Sequence, residues 1–239
     1  MDACPEEDRA LAGLGGGGCN FNGIIYLQGV VSNDTTLLGL YGACSLRVRG
    51  MEKGVSARSK RGEVGLKKIV ITGPESTGKT TLAEELAQRL NATLIPEYAR
   101  SYIENLDRPY TFSDVEMIAK HQMDEEGKFS GEGEDGILLM DTWLIITKVW
   151  FEVVFGRVPG WIEEQISKAD VDLFLVCAPD IPWVADPVRE NGGEMRLKLF
   201  DRYINEIKAH GFAFEIVTGT GNLRIQNAWT LLKCHGIVQ

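Results

Sequence analysis

Lys79 and Thr80 end the segment Gly73-Pro74-Glu75-Ser76-Thr77-Gly78-Lys79-Thr80. It satisfies G-x-x-x-x-G-K-[ST] at every fixed position. Main-chain N–H groups of such a turn, together with the positive end of a following helix, surround a polyphosphate. Lys79 adds a mobile cation for the β- and γ-phosphates, and Thr80 a hydroxyl for Mg²⁺. Glycine serves where φ is positive or where a Cβ would block the phosphate. The flanks agree with this chemistry. Ile69, Val70 and Ile71 form a short apolar run of strand type. Leu82, Leu86 and Leu90, beside Ala83 and Ala87, make one apolar helical stripe. Strand, turn and helix therefore predict a nucleotide-phosphate site with ATP and Mg²⁺ as its ligands.

A second acidic element follows. In "ILLMDT" four apolar residues run into Asp141, about 60 residues beyond the turn, which is the form of a strand whose carboxylate reaches Mg²⁺. Glu97 and Arg100 lie just past a second apolar run, "ATLIP", at a strand end of the kind where ligands collect in open α/β sheets. A carboxylate there can take the proton of an attacking hydroxyl. Asp141 is the rival base, and a Glu97–Arg100 ion pair the structural alternative. Arg189 and Arg196 fall in "DPVRENGGEMR", where a mobile lid carrying guanidinium groups to the transferring phosphoryl would lie, or where two arginines form a solvated face. Gln122 is a candidate substrate hydrogen bond. Trp143 and Trp183 are either ring-stacking or core residues, and Trp150 reads as core.

These groups need a scaffold. Strands are expected at 69–71, 92–96, 136–141, 171–179 and 212–219. Helices are expected after the first strand, over 113–129 (Ser113 as cap, Glu116 completing the box), over 142–156, up to Gly211 as a C-cap residue, and over 222–236. Five buried strands with interleaved helices make an α/β, doubly wound parallel sheet of the P-loop type, because parallel strands need crossover helices. Residues 1–66 differ. They hold thirteen of the 27 glycines, and their two apolar pieces build no core alone. They read as a poorly ordered extension, with translation starting at Met51 as the sharper alternative. Residues 67–239 form the catalytic domain.

A net charge of −9 argues against a broad nucleic-acid surface. No apolar run approaches the roughly 18 residues of a membrane span. The acidic start, "MDACPEEDRA", is unlike a secretory signal. Five scattered cysteines without metal spacing suit reduced thiols in the cytoplasm, Cys177 being a core residue. His121, His210 and His235 read as surface or helix-end residues.

"GPESTGKTTLAEELA", "PEYARSY", "MDTWLIITKVW", "CAPDIPWVADPVREN" and "RLKLFDRY" together resemble the ribosylnicotinamide kinase domain of the bacterial NadR family, over residues 67–235. The resemblance implies a nucleoside-kinase-like fold and ATP-dependent phosphorylation of nicotinamide riboside. It implies Gly73, Glu75, Ser76, Thr77, Gly78, Lys79, Thr80 and Thr81 as the ATP loop, with Arg196, Gly219 and Arg224 as further nucleotide contacts, the last two near adenine. Thr80 and Asp141 are the metal residues, Lys79, Glu97, Asp141 and Arg189 the catalytic set, and Glu97, Arg100, Gln122 and Trp143 the acceptor contacts. Trp143 departs from the family, whose pattern carries an acidic residue there. The same grouping also implies the alternative of a regulatory ATP-binding protein or ATPase without a nucleoside acceptor.

Overall fold

The computed structural model describes residues 65–129, 136–185 and 191–239. Five strands, β1 (Leu66–Thr72), β2 (Thr93–Ile95), β3 (Gly136–Asp141), β4 (Leu173–Cys177) and β5 (Phe214–Val217), form one sheet. Its order is β2-β3-β1-β4-β5, and every pairing is parallel. The helices are α1 (Lys79–Leu90), α2 (Tyr98–Glu104), α3 (Phe112–Gly127), α4 (Leu144–Trp150), α5 (Gly160–Lys168), α6 (Gly193–Ala209) and α7 (Gly221–Cys234); α4 continues as a π-helical turn over Phe151–Phe155. This is the P-loop α/β architecture expected from the alternating pattern.

Period-two side chains sort each strand between two cores. Ile69, Ile71, Leu139, Leu173, Leu175 and Cys177 face α1 and α7. Val70, Leu138, Met140, Phe174 and Val176 face the layer holding α3, α4, α5 and α6. Both faces are covered, so the strands read as continuous apolar runs.

The strand order also creates the site. After β1 the chain crosses to the β2 edge, returns as β3 beside β1, then crosses over β1 to β4. Crevices form at the carboxyl ends of strands where the winding reverses. Ile71 pairs with Asp141, and the Thr142 N–H donates to the Ile71 carbonyl at 2.9 Å. Two residues separated by seventy positions thus end side by side.

One local expectation changes, and two helices are added. Helix α3 starts one residue earlier, capped by Thr111 with Asp114 as its partner, instead of by Ser113 with Glu116. The Asp114 carboxylate accepts from the Thr111 N–H and hydroxyl, both at 2.7 Å, from Arg108 at 2.7 and 2.9 Å and from the Tyr102 hydroxyl at 2.8 Å, so five donors outweigh the Ser113 alternative. Glu116 instead accepts from the Trp161 indole at 3.0 Å. Helices α2 and α5 had no sequence forecast; both are short, of 7 and 9 residues, too brief for helical periodicity to stand out.

Candidate active site

Gly73 leaves β1 at φ 140°, and a Cβ there would lie 2.7 Å from the Cys177 carbonyl oxygen. Glycine is therefore the residue that lets the turn pass over β4. The turn closes on itself: the Thr77 hydroxyl and the Lys79 ammonium both donate to the Pro74 carbonyl, at 2.8 and 3.1 Å. Gly78 (φ 71°) is the N-cap of α1. The first turn of α1 thus begins where the phosphate-binding amides end.

Thr80 and Asp141 meet, as their pattern predicts. The Thr80 hydroxyl donates to Asp141 Oδ2 at 2.6 Å. Asp141 is 1% exposed, and its Oδ1 has no hydrogen-bond partner among the described residues. Burial pushes the Asp141 carboxyl up to about 6, against the Thr80 hydrogen bond and the Lys79 charge, with Glu97 and Glu84 adding to the rise. A buried carboxylate oxygen with an open acceptor position beside a hydroxyl is a hard-oxygen pair that fits Mg²⁺, which takes few protein ligands and completes its shell with water and phosphate.

A cavity of about 350 Å³ runs from this loop into the interior. One end is Gly73, Glu75, Ser76, Thr77, Gly78, Lys79, Thr80 and Thr81; the other includes Glu97, Arg100, Gln122, Thr147, Trp150 and Tyr203. Glu97 reaches it as the residue capping α2. Arg100, one turn on, pairs with Glu104 at 3.0 Å. Gln122 is buried on α3, and its carbonyl oxygen accepts from the Thr147 hydroxyl at 3.2 Å, which orients the amide.

Four expected contacts lie elsewhere. Trp143 is 2% exposed in the core against Phe174 and Phe212, and its indole N–H donates to Glu126 at 2.9 Å. It follows a buried strand directly, so its ring turns under the sheet. Trp150, read as core, is the tryptophan that lines the cavity, edge-on to Tyr110. Trp183 packs against Gly192 and stays out of the cavity lining. Arg196 donates to the Glu75, Ile181 and Ser76 carbonyls at 2.9, 2.8 and 2.7 Å. It braces the phosphate loop from behind. Arg224 donates to the carbonyls of Ala178, Val217 and Gly219 and to the Asp180 carboxylate, which also accepts from the Gly219 N–H. Arg224 and Gly219 therefore lock the β4 and β5 ends together, and neither lines the cavity. Arg189 lies outside the described residues.

Among the cavity residues that sequence reasoning missed are Thr147 and Tyr203. Both sit inside helices whose apolar stripes make them look like filler.

An all-parallel sheet of this order, a phosphate loop after β1 and a buried aspartate after β3 define a P-loop nucleotide-binding domain. The chain belongs to the AAA domain family, whose profile matches residues 68–224. Among curated proteins it is similar to the trifunctional NAD biosynthesis/regulator protein NadR of Salmonella typhimurium (strain LT2), at 27% identity over 146 residues. The Escherichia coli (strain K12) protein of the same name is 27% identical over 143 residues. Each match covers 58% of this chain and 35% of the relative, so the chain spans about a third of the relatives' length. A crystal structure of NadR protein in complex with NR superposes with a TM-score of 0.63 at 26% identity, over 72% of this chain and 52% of that one. Thymidylate kinase from Ehrlichia chaffeensis shares the fold alone, with a TM-score of 0.50 at 16% identity, covering 70% of this chain and 99% of that one. This is a NadR-like P-loop domain. Among the described residues no helix is long and apolar enough to cross a membrane.

Proposed function

We propose that this chain is an ATP-dependent small-molecule kinase, and that its acceptor is nicotinamide riboside, converted to nicotinamide mononucleotide. The observation that carries the reading is one continuous cleft with a phosphate loop at one end and Glu97, Gln122 and Trp150 at the other. A hydrolase that uses water alone has little need of the second end. Likeness to NadR, one structure of which holds NR, supports the choice of acceptor.

In this reading the loop amides and Lys79 grip the ATP tail, and Arg196 keeps the carbonyls of residues 75 and 76 turned away from it. Thr80 and Asp141 would hold Mg²⁺, which when bound would neutralise phosphate charge. The 5′-hydroxyl of the riboside attacks the γ-phosphorus. A new O–P bond forms, the bond to the β–γ bridging oxygen breaks, ADP departs, and the hydroxyl proton passes to Glu97. Asp141 is assigned to the metal because it is buried against Thr80. Gln122 donates to the acceptor base and Trp150 offers it an aromatic wall.

A panel of nucleosides with ATP and Mg²⁺ tests this. ADP should form only with one acceptor, nicotinamide riboside, with a phosphorylated product of matching mass. Nucleoside-independent ADP release would favour a regulatory ATPase, and turnover only with a monophosphate would make the acceptor a nucleotide.

A further inference from the structure

Tyr203 lies on α6, 6% exposed, with its ring packed against Val149 and Leu199. It lines the cavity. Among the described residues its hydroxyl has no hydrogen-bond partner, and it is not one of the sealed polar atoms of the core. A buried phenol ordinarily finds a partner within the protein. Here the polar tip of an otherwise apolar wall, formed with Ile146, Val153 and Leu199, is turned to the cleft.

Burial first, then the charges of Glu75 and Glu97, hold the Tyr203 phenol above the ordinary tyrosine range, so it stays a neutral donor. Glu75 belongs to the phosphate loop and Glu97 to the acceptor end. Tyr203 lines the acceptor end together with Glu97 and Trp150, so in the kinase reading its hydroxyl is offered to the acceptor, whose sugar is the part that links a 5′-hydroxyl at Glu97 to a base at Trp150.

We infer that Tyr203 is a specificity-determining acceptor contact, its hydroxyl hydrogen-bonding a ring hydroxyl of the sugar and so favouring ribosides over deoxyribosides. The inference rests on the kinase reading above. Unlike Arg196 and Arg224, whose donors are engaged by the protein, this hydroxyl is available to a ligand.

The test compares wild type and Tyr203→Phe with nicotinamide riboside and its 2′-deoxy and 3′-deoxy analogues. Phenylalanine keeps the ring packing, so the melting temperature should stay within about 2 °C, no native hydrogen bond being lost. The KM for the riboside should rise roughly fivefold to tenfold, the worth of one neutral hydrogen bond, with the KM for ATP within twofold. One of the deoxy analogues should be insensitive to the substitution. An unchanged riboside KM, a shift in the ATP KM instead, or the same change with all three acceptors overturns the inference while leaving the kinase reading standing. Should the variant fail to fold, wild type that accepts both deoxy analogues as well as the riboside overturns it equally. If wild type phosphorylates no acceptor, both readings fall together.

Discussion

Glu97 and Asp141 are both carboxylates at strand ends, and their surroundings separate their roles. Asp141 is sealed against Thr80, while Glu97 is half-buried on the cavity wall. Replacing Glu97 by Gln keeps shape and hydrogen bonding but removes the base. The turnover number with nicotinamide riboside should fall at least roughly a hundredfold, with Mg-ATP affinity by calorimetry within about twofold. Turnover within a few fold of wild type would return the base to Asp141. Cys177 gives a prediction of another kind. Its thiol is fully buried and burial pushes it up to about 11, whereas Cys234 is exposed. The thiolate is the reactive form. Alkylation of the native protein at pH 8 followed by peptide mapping should label Cys234 and spare Cys177 until the protein is unfolded.

At the scale of elements, the phosphate loop was legible because its chemistry fixes spacing: two glycines, a lysine and a hydroxyl cannot be redistributed. Gly73 shows how strict this is. A Gly73→Ala side chain would meet the Cys177 carbonyl at 2.7 Å and would sit at a φ of 140°. It should cost about 2 kcal/mol or more of stability in denaturant titration and weaken Mg-ATP binding at least roughly tenfold. The cap of α3 was misplaced for the opposite reason. By residue type Ser113 is at least as good a cap as Thr111, and the choice is made by Arg108 and Tyr102, which reach Asp114 from outside the helix. The Arg108 guanidinium first, then Thr111 and Tyr102, holds the Asp114 carboxyl well below the usual range, against its burial. A depressed folded value means stability that is present above the unfolded carboxylate value of about 3.9 and is lost as pH falls toward the folded one. Asp114→Asn should therefore lower the melting temperature at pH 7 by roughly 3–10 °C, and the gap from wild type should narrow as the pH is taken below about 4. A gap that stays constant with pH would remove the charge from the account.

For the whole molecule, the sheet was readable because each strand is buried on both faces and so announces itself as an unbroken apolar run. What could not be read is which polar residues those runs carry into the cleft. Trp143 and Trp150 both sit in apolar surroundings at helical spacing, yet the first ring packs in the core against Phe174 and Phe212 and the second lines the cavity. The family resemblance implies Arg196 and Arg224 as nucleotide contacts. The fold uses them as struts because the loop carbonyls they satisfy would otherwise be buried without donors. This division of labour has a consequence for ligand binding. The phosphate end is assembled from β1, α1 and β3 and braced by α6, so Mg-ATP should engage it without help from the acceptor end. At an Mg-ATP concentration of about 100 times its Kd, the native state should gain about 2.7 kcal/mol, a rise in melting temperature of roughly 5–11 °C for a domain of this size. Lys79→Ala should abolish that rise, and Glu97→Gln and Tyr203→Phe should keep it. If either acceptor-side variant loses the shift along with Lys79→Ala, the two ends of the cleft are not separable, and the assignment of ATP to one and the nucleoside to the other fails.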